Sequence, residues 1–165
     1  MKRAFEINDT VVYRTKGVCT VTDVVKKAFA GAEEREYYVI EPLSANNYRS
    51  FVPVLSETAS QLKHVPTPEE VDGIIARSLL IVPEYEPDKK KREAGYAAAQ
   101  LRDDEAELIG KYAMLGERKA AKVKMPAADI KMMMYVEKAV GEEFAYALGV
   151  RRDEAWDYIN KKRGE

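Results

Sequence analysis

The sequence has very few of the residues on which disulfide and metal chemistry depend. Among its 165 residues there is one cysteine, Cys19, and one histidine, His64. A single cysteine excludes an internal disulfide, and a single histidine excludes an HExxH helix or a multi-histidine metal cluster. Because Cys19 stands in a strand-like run, we interpret it as a small buried residue rather than as a reactive thiol.

Phosphate-binding loops are also absent. Neither a GxxxxGK[ST] nor a GxGxxG pattern occurs, so nucleotide-dependent enzymology is not expected. The adjacent acids Glu142 and Glu143 diverge on a helix, and the same holds for Asp103 and Asp104, so we interpret both pairs as solvated charges. We therefore expect a binding protein that is not an enzyme and that needs no cofactor or metal.

Two more features are missing: a long apolar run and a large net charge of either sign. No stretch of about 18 apolar residues occurs, and the opening MKRAFEIND lacks an apolar signal core. We expect a soluble cytoplasmic protein without a membrane partner. The formal net charge is −1, so any contact with nucleic acid must come from local basic patches.

A change in composition near Pro66 predicts two domains. Residues 1–65 are rich in Val, Tyr and Thr, which favour strands, whereas residues 66–165 are rich in Ala, Glu, Lys and Met, which favour helices. The predicted fold class is α+β, with a small, strongly bent SH3-like or Tudor-like barrel followed by a compact all-helical domain. Turn residues separate the predicted strands, which are Thr10–Tyr13, Val18–Val25, Glu36–Glu41, Tyr48–Val54 and a short return over Gln61–Val65.

Capping residues divide the second half into helices. Thr67 and Glu70 form a capping box around Pro68, Asp88 opens a second helix, and Asp103-Asp104 restarts the chain for a third that we expect to end at Gly116. Ala127–Leu148 is the longest helical segment, with Gly149 as its C-terminal cap, and Asp153–Lys162 is the last. Tyr96 and Leu101 are expected to face a core.

Two basic runs stand out in the helical half. The first comprises Lys89, Lys90, Lys91 and Arg92, and the second comprises Arg118, Lys119, Lys122 and Lys124. If they converge on one face, they form a binding surface for phosphates, which would position nucleic acid without reading its sequence. The alternative is that both runs are ordinary solvated helix faces.

Three segments of the first half, DTVVYRTKGVCTVTDV, EYYVIEPL and RSFVPV, resemble the RNA-polymerase-interacting domain of the CarD/CdnL family, which transcription-repair coupling factors share. The sequence departs from the family pattern at Arg14-Thr15-Lys16 and at Cys19. In the second half, VGEEFAYALG is similar to the last long helix of the family. The matching positions are Asp9, Val11, Val12, Tyr13, Gly17, Val21, Tyr37, Tyr38, Val39, Val52 and Pro53.

The resemblance implies a transcription regulator whose β module docks on the β subunit of RNA polymerase by extending a sheet edge. The implied contacts are Lys27, Arg49 and Phe51, on the strand that begins at Val18 and on the strand Tyr48–Val52. A solvated edge is the alternative for the two cations, and a core position is the alternative for the aromatic ring.

The helical domain would then contact promoter DNA at the upstream edge of the melted region, without sequence specificity. Where the family has a tryptophan against the splayed base pair, this chain offers Tyr85 between Glu84 and Glu86, and its one tryptophan, Trp156, is expected to pack in the last helix. We expect a monomer. The competing hypothesis is a protein-interaction adaptor that contacts no DNA.

Overall fold

The computed structural model describes residues 3–13, 16–44, 48–55 and 62–164. The chain divides into two compact units, Met1–Val65 and Pro66–Glu165. The first unit is a β-sheet and the second is helical, which confirms the α+β fold class. Among the described helices, none combines the length and the apolar character needed to cross a membrane.

The strands of the first unit are β1 (Thr10–Tyr13), β2 (Gly17–Lys27), β3 (Arg35–Pro42), β4 (Ser50–Pro53) and β5 (Leu62–His64). They form an antiparallel sheet with the strand order β4-β3-β2-β1-β5. Within the described residues each of the outer strands, β4 and β5, pairs with one neighbour only, so the sheet is open. The expected barrel is thus a bent, barrel-like sheet, because closure requires that the two outer strands pair with each other.

Strand β2 forms the centre of this sheet. Its first residues pair with β1, and from Cys19 to Lys27 it pairs with β3. A bulge between Val21 and Asp23 shifts the register there, and such an extra residue bends the strand. Of the residues in the segments considered above, Arg14, Thr15 and Gln61 lie outside the described residues, as do Ala45 to Asn47 before the fourth strand.

One face of the sheet carries the core of the first unit. Tyr38 lies within it, and its hydroxyl accepts hydrogen bonds from the backbone N–H groups of Ala4 and Phe5. The Phe5 ring packs edge-on against Tyr38, with 5.6 Å between ring centroids. The residues before β1 therefore cover part of this core, which consists of Phe5, Val11, Cys19, Val21, Tyr38, Ile40, Val52 and Leu62.

The described residues of the second unit form five helices, and side-chain caps begin three of them. Thr67 forms a capping box with Glu70, while Asp88 and Asp104 each accept a backbone N–H bond at the next two helix starts. Gly149 closes the longest helix with φ 68°. The helices are α1 (Pro68–Ser78), α2 (Lys89–Arg102), α3 (Glu105–Ala120), α4 (Ala127–Leu148) and α5 (Arg152–Lys162).

Some expectations for this unit are wrong. Glu143, expected to be a solvated charge, is only 3% exposed, because it lies three residues after the buried Val140 on the same helix face. Helix α3 continues past Gly116 to Ala120, since a glycine costs a helix only about 1 kcal/mol and neighbouring packing offsets that cost. Leu101 is 58% exposed whereas Tyr96 is buried. Five residues after Tyr96, Leu101 lies about 140° further round the helix and so faces away from the core.

The helical core joins all five helices. Val71 and Ile75 of α1 pack with Phe144 of α4 and Ile159 of α5 in a continuous apolar cluster. On α4, Val136, Val140 and Phe144 are fully or almost fully buried. Other fully buried members are Leu115, Ala155, Ile109 and Met132. This packing fixes the helix ends from which the two basic runs extend.

Candidate functional site

Strand β4 forms one edge of the sheet in the first unit. It pairs with β3 in the register Val39↔Phe51 and Tyr38↔Val52. The N–H of Val54 donates to the carbonyl oxygen of Glu36 at 3.0 Å. Because backbone groups alternate along a strand, those of Val52 face β3 and those of Phe51 face the open side of the sheet. Edges of this kind accept an additional strand from a partner.

A lysine and three aromatic rings meet beside this edge. The Nζ of Lys27 lies 4.7 Å from the centroid of the Phe51 ring and 6.0 Å from that of Phe29. Phe29 in turn packs edge-on against Phe51 and Tyr37, at centroid distances of 5.6 Å and 5.0 Å. The structure therefore brings together two of the predicted polymerase contacts, Lys27 and Phe51. We call Lys27, Phe29, Tyr37 and Phe51 the aromatic patch.

Arg49, the third predicted contact, stands just before β4. Its Nε lies 3.4 Å from Oε1 of Glu41 on β3, and its side chain is 68% exposed. Exposed ion pairs of this kind contribute little to stability, so the guanidinium can exchange Glu41 for an acidic group of a partner. Among the described strands, the stretch of β2 from Asp23 to Lys27 pairs with β3 only, and its end, at Lys27, reaches the aromatic patch.

In the second unit, Tyr85 connects the two basic runs. The Cζ of Arg118 lies 3.5 Å from the centroid of the Tyr85 ring, and the Cζ of Arg92 lies 4.9 Å from it. Stacking of guanidinium groups on aromatic rings is a favourable cation–π contact. The structure thus brings one end of each basic run to the same tyrosine.

Asp129 holds the other end of Tyr85. The Tyr85 hydroxyl donates to Oδ2 of Asp129 at 2.7 Å, while Oδ1 accepts from Arg92 Nε at 3.1 Å and from the Tyr96 hydroxyl at 2.9 Å. Asp129 is fully buried in the first turn of α4. Burial and the bond to Asp129 raise the pKa of both Tyr85 and Tyr96, so both phenols remain protonated donors.

Arg92 does not fit the prediction of a phosphate contact on the surface. Its side chain is only 8% exposed and pairs with the fully buried carboxylate of Asp129. It also donates to the carbonyl oxygen of Glu86 at 3.0 Å. Position 92 falls on the same helix face as Tyr96, four residues later, which directs the guanidinium inward. The sequence shows the basic run but not which of its members faces the core.

The remaining predicted cations lie at the surface. Lys89, Lys90 and Lys91 are exposed at the start of α2, and so are Lys119, Lys122 and Lys124 around the end of α3. Lys122 has φ 61°, a left-handed conformation that glycine usually supplies after a helix. Arg118 is partly exposed. The structure therefore leaves seven predicted cations with accessible surface.

Trp156 packs within the helical unit, as the sequence predicts. Its Nε1 donates to the carbonyl oxygen of Glu137 at 2.8 Å, and its ring lies 4.5 Å from that of Tyr112. Sequence reasoning missed Phe29 and Asp129. Phe29 could have been found, because an aromatic residue in the loop between β2 and β3 is a visible signal in the sequence. Asp129 could not have been found in this way, because an acid in the first turn of a helix is normally solvated.

Comparison with known protein families settles the nature of the first unit. Residues 5–61 match the family model of the CarD-like/TRCF RID domain, where RID denotes an RNA-polymerase-interacting domain. Residues 5–61 form a CarD-like domain. This match supports an RNA-polymerase-interacting, transcription-related protein. The helical unit lies outside the matched residues, and a search of curated proteins found no match to the chain. The edge strand β4 and the aromatic patch both belong to the CarD-like domain.

Proposed function

We propose that this protein regulates transcription by binding rather than by catalysis, and that its CarD-like domain docks on the β subunit of RNA polymerase. The observation that carries the proposal is the exposed edge of β4 next to the aromatic patch within the matched residues. A strand of the polymerase would add to this edge through main-chain hydrogen bonds, and side chains around it would supply specificity.

The geometry of β4 limits where such a strand can pair. Phe51 directs its N–H and carbonyl group to the open side, whereas Pro53, two residues later, has no N–H to donate. The added strand would therefore pair mainly beside Arg49 to Phe51. Lys27 and Arg49 would meet acidic side chains of the polymerase, and the ring of Phe51 would supply apolar contact area.

A pull-down with the isolated β-subunit lobe tests this docking surface. We expect the variant Lys27→Glu with Arg49→Glu to bind at least about tenfold more weakly, because each reversal places like charges opposite one another. The matched control is Lys131→Glu with Lys138→Glu, which changes two exposed lysines of α4 and alters the net charge equally. Undiminished binding by the first variant would remove the docking surface.

We further propose that the helical unit contacts promoter DNA at the upstream edge of the melted region and tunes the lifetime of the open complex. The support is the contact of Tyr85 with both Arg92 and Arg118, which brings the two basic runs together. Because lysine meets phosphate as a point charge, this contact would position DNA without reading its sequence.

Open-complex lifetime on a supercoiled promoter is the assay for the DNA contact. Simultaneous Lys89→Glu, Lys90→Glu and Lys91→Glu changes should shorten it, and the effect should fade as salt rises. The same lifetime as with the wild-type protein would contradict the proposal. Each of these lysines is exposed, so the change leaves the helical core intact.

A protein-interaction adaptor is the second candidate function. Leu80 and Val82, which follow α1, are 83% and 86% exposed, and exposed apolar side chains close together are typical of protein contacts. An adaptor of this type would show no salt-sensitive binding to DNA, whereas the proposed regulator would. Titration of the protein with duplex DNA at two salt concentrations therefore separates the two functions.

A further inference from the structure

We infer that Tyr85 positions Arg118 for a DNA phosphate and does not stack on a base. The inference rests on the proposed DNA contact of the helical unit and assigns roles within it. It differs from the expectation drawn from the sequence, in which Tyr85 takes the place of a stacking tryptophan. Tyr85 is then a positioning residue, and Arg118 makes the contact.

Both ends of Tyr85 are engaged. Its hydroxyl donates to the buried carboxylate of Asp129 at 2.7 Å, and the Arg118 guanidinium lies 3.5 Å from its ring centroid. Arg92 lies near the same ring at 4.9 Å. To stack on a base, Tyr85 would have to give up its contact with Arg118 and withdraw its hydroxyl from a fully buried acceptor. An aromatic ring that is exposed and makes no such contacts could stack on a base without this cost.

Arg118 has the properties of a prepared phosphate contact. Across the part of the chain that the structure describes, its guanidinium makes no hydrogen bond or ion pair, and its one aromatic contact is the Tyr85 ring. Stacking covers a face of the planar guanidinium and leaves the N–H donors at its edge available. These donors match two oxygens of one phosphate. Because the ring already orders the side chain, less conformational entropy is lost on binding.

Asp129 connects this contact to the helical core. Its carboxylate holds Tyr85 from the first turn of α4, while Arg92 neutralises the buried charge. Asp129, Tyr85 and Arg118 thus form a chain of contacts that leads from the core to the surface. Because Arg92 pairs with Asp129 inside the protein, Arg118 is the arginine of the two basic runs that is available to contact DNA. The exposed lysines on both sides supply additional phosphate contacts.

Equilibrium binding of the full chain to a duplex and to a fork-junction DNA tests the inference. We expect Tyr85→Leu and Arg118→Gln each to weaken binding about five- to tenfold on both DNAs. The affinity of the double variant should be no lower than that of the single variant that binds less tightly. Each single variant should also lower the salt slope by about 1, the value expected for one lost phosphate contact. Tyr146→Leu, at an exposed tyrosine of α4, is the control and should bind like the wild-type protein.

Two results would overturn the inference. If the affinity of the double variant fell by the product of the two single factors, Tyr85 and Arg118 would act separately. If Tyr85→Leu weakened binding to the fork junction alone, the ring would stack on a base. Tyr85→Phe keeps the ring beside Arg118 but loses the bond to Asp129, so it should lose less binding than Tyr85→Leu, and by the same factor on both DNAs. Failure of the wild-type protein to bind either DNA would instead contradict the proposed DNA function as a whole.

Discussion

Replacing Asp129 by alanine is predicted to destabilise the helical unit severely. Asp129 is fully buried and accepts hydrogen bonds from Tyr85, Tyr96 and Arg92. Alanine removes the acceptor of all three groups at once. Two phenols then lose a partner, and the guanidinium of Arg92, only 8% exposed, loses the charge that compensates its own.

The magnitude follows from the buried ion pair. Removing one partner of such a pair costs about 3–5 kcal/mol, since the remaining charge is left in a poorly solvated place. The whole stability of a domain is about 5–15 kcal/mol, so the loss is a large fraction of it. With a urea slope of about 1–3 kcal/mol/M, the unfolding midpoint should fall by about 1 M or more.

Urea unfolding of the full chain, followed by tryptophan emission, measures this change in the helical unit. The chain has one tryptophan, Trp156, and it packs on Tyr112 of α3. Asp153→Ala is the matched control, because Asp153 is also in the first turn of a helix but is 71% exposed. Its midpoint should stay close to that of the wild-type protein.

A second variant tests whether charge is the cause. Combining Asp129→Ala with Arg92→Met leaves no buried charge without a partner, so part of the lost stability should return. The reasoning would be refuted by a loss below about 1 kcal/mol in Asp129→Ala. It would also be refuted if the double variant lost as much free energy of unfolding as the two single variants lose together.

Three further predictions concern strain, burial and packing. Lys122→Gly should stabilise the helical unit by up to about 1 kcal/mol, because Lys122 has φ 61°, and should weaken DNA binding through the lost charge. Cys19 should resist alkylation at pH 8 in the native protein, since burial raises its pKa to about 11. Gly141→Ala should cost about 1–3 kcal/mol, as a Cβ there would lie 2.7 Å from Nε1 of Trp156. Gly95→Ala, where a Cβ would meet nothing within 4 Å, should instead stabilise α2.

Local signals were sufficient for much of the fold. Thr67 and Gly149 begin and end helices where the sequence predicts, because capping depends on residues within one turn. The same signals fail at Gly116 and Leu101. Whether a glycine ends a helix, and which face of α2 meets the core, depends on how neighbouring helices pack.

The candidate site was less predictable than the fold. The basic runs are visible in the sequence, but the burial of Arg92 depends on Asp129, which lies on another helix. The partners of Tyr85 are likewise distant along the chain, so spacing does not reveal them. In the CarD-like domain, the resemblance implies Lys27 and Phe51 as polymerase contacts, and the two side chains lie together in the structure; their contact with the polymerase stays a prediction.

Hydrogen exchange of the full chain, with and without RNA polymerase, tests the central claim most directly. Docking through β4 predicts that exchange slows at the amide of Phe51, which faces the open side of the sheet, while the opposite edge strand, Leu62–His64, exchanges at an unchanged rate. Slower exchange at Leu62–His64 with no change at Phe51 would contradict the account.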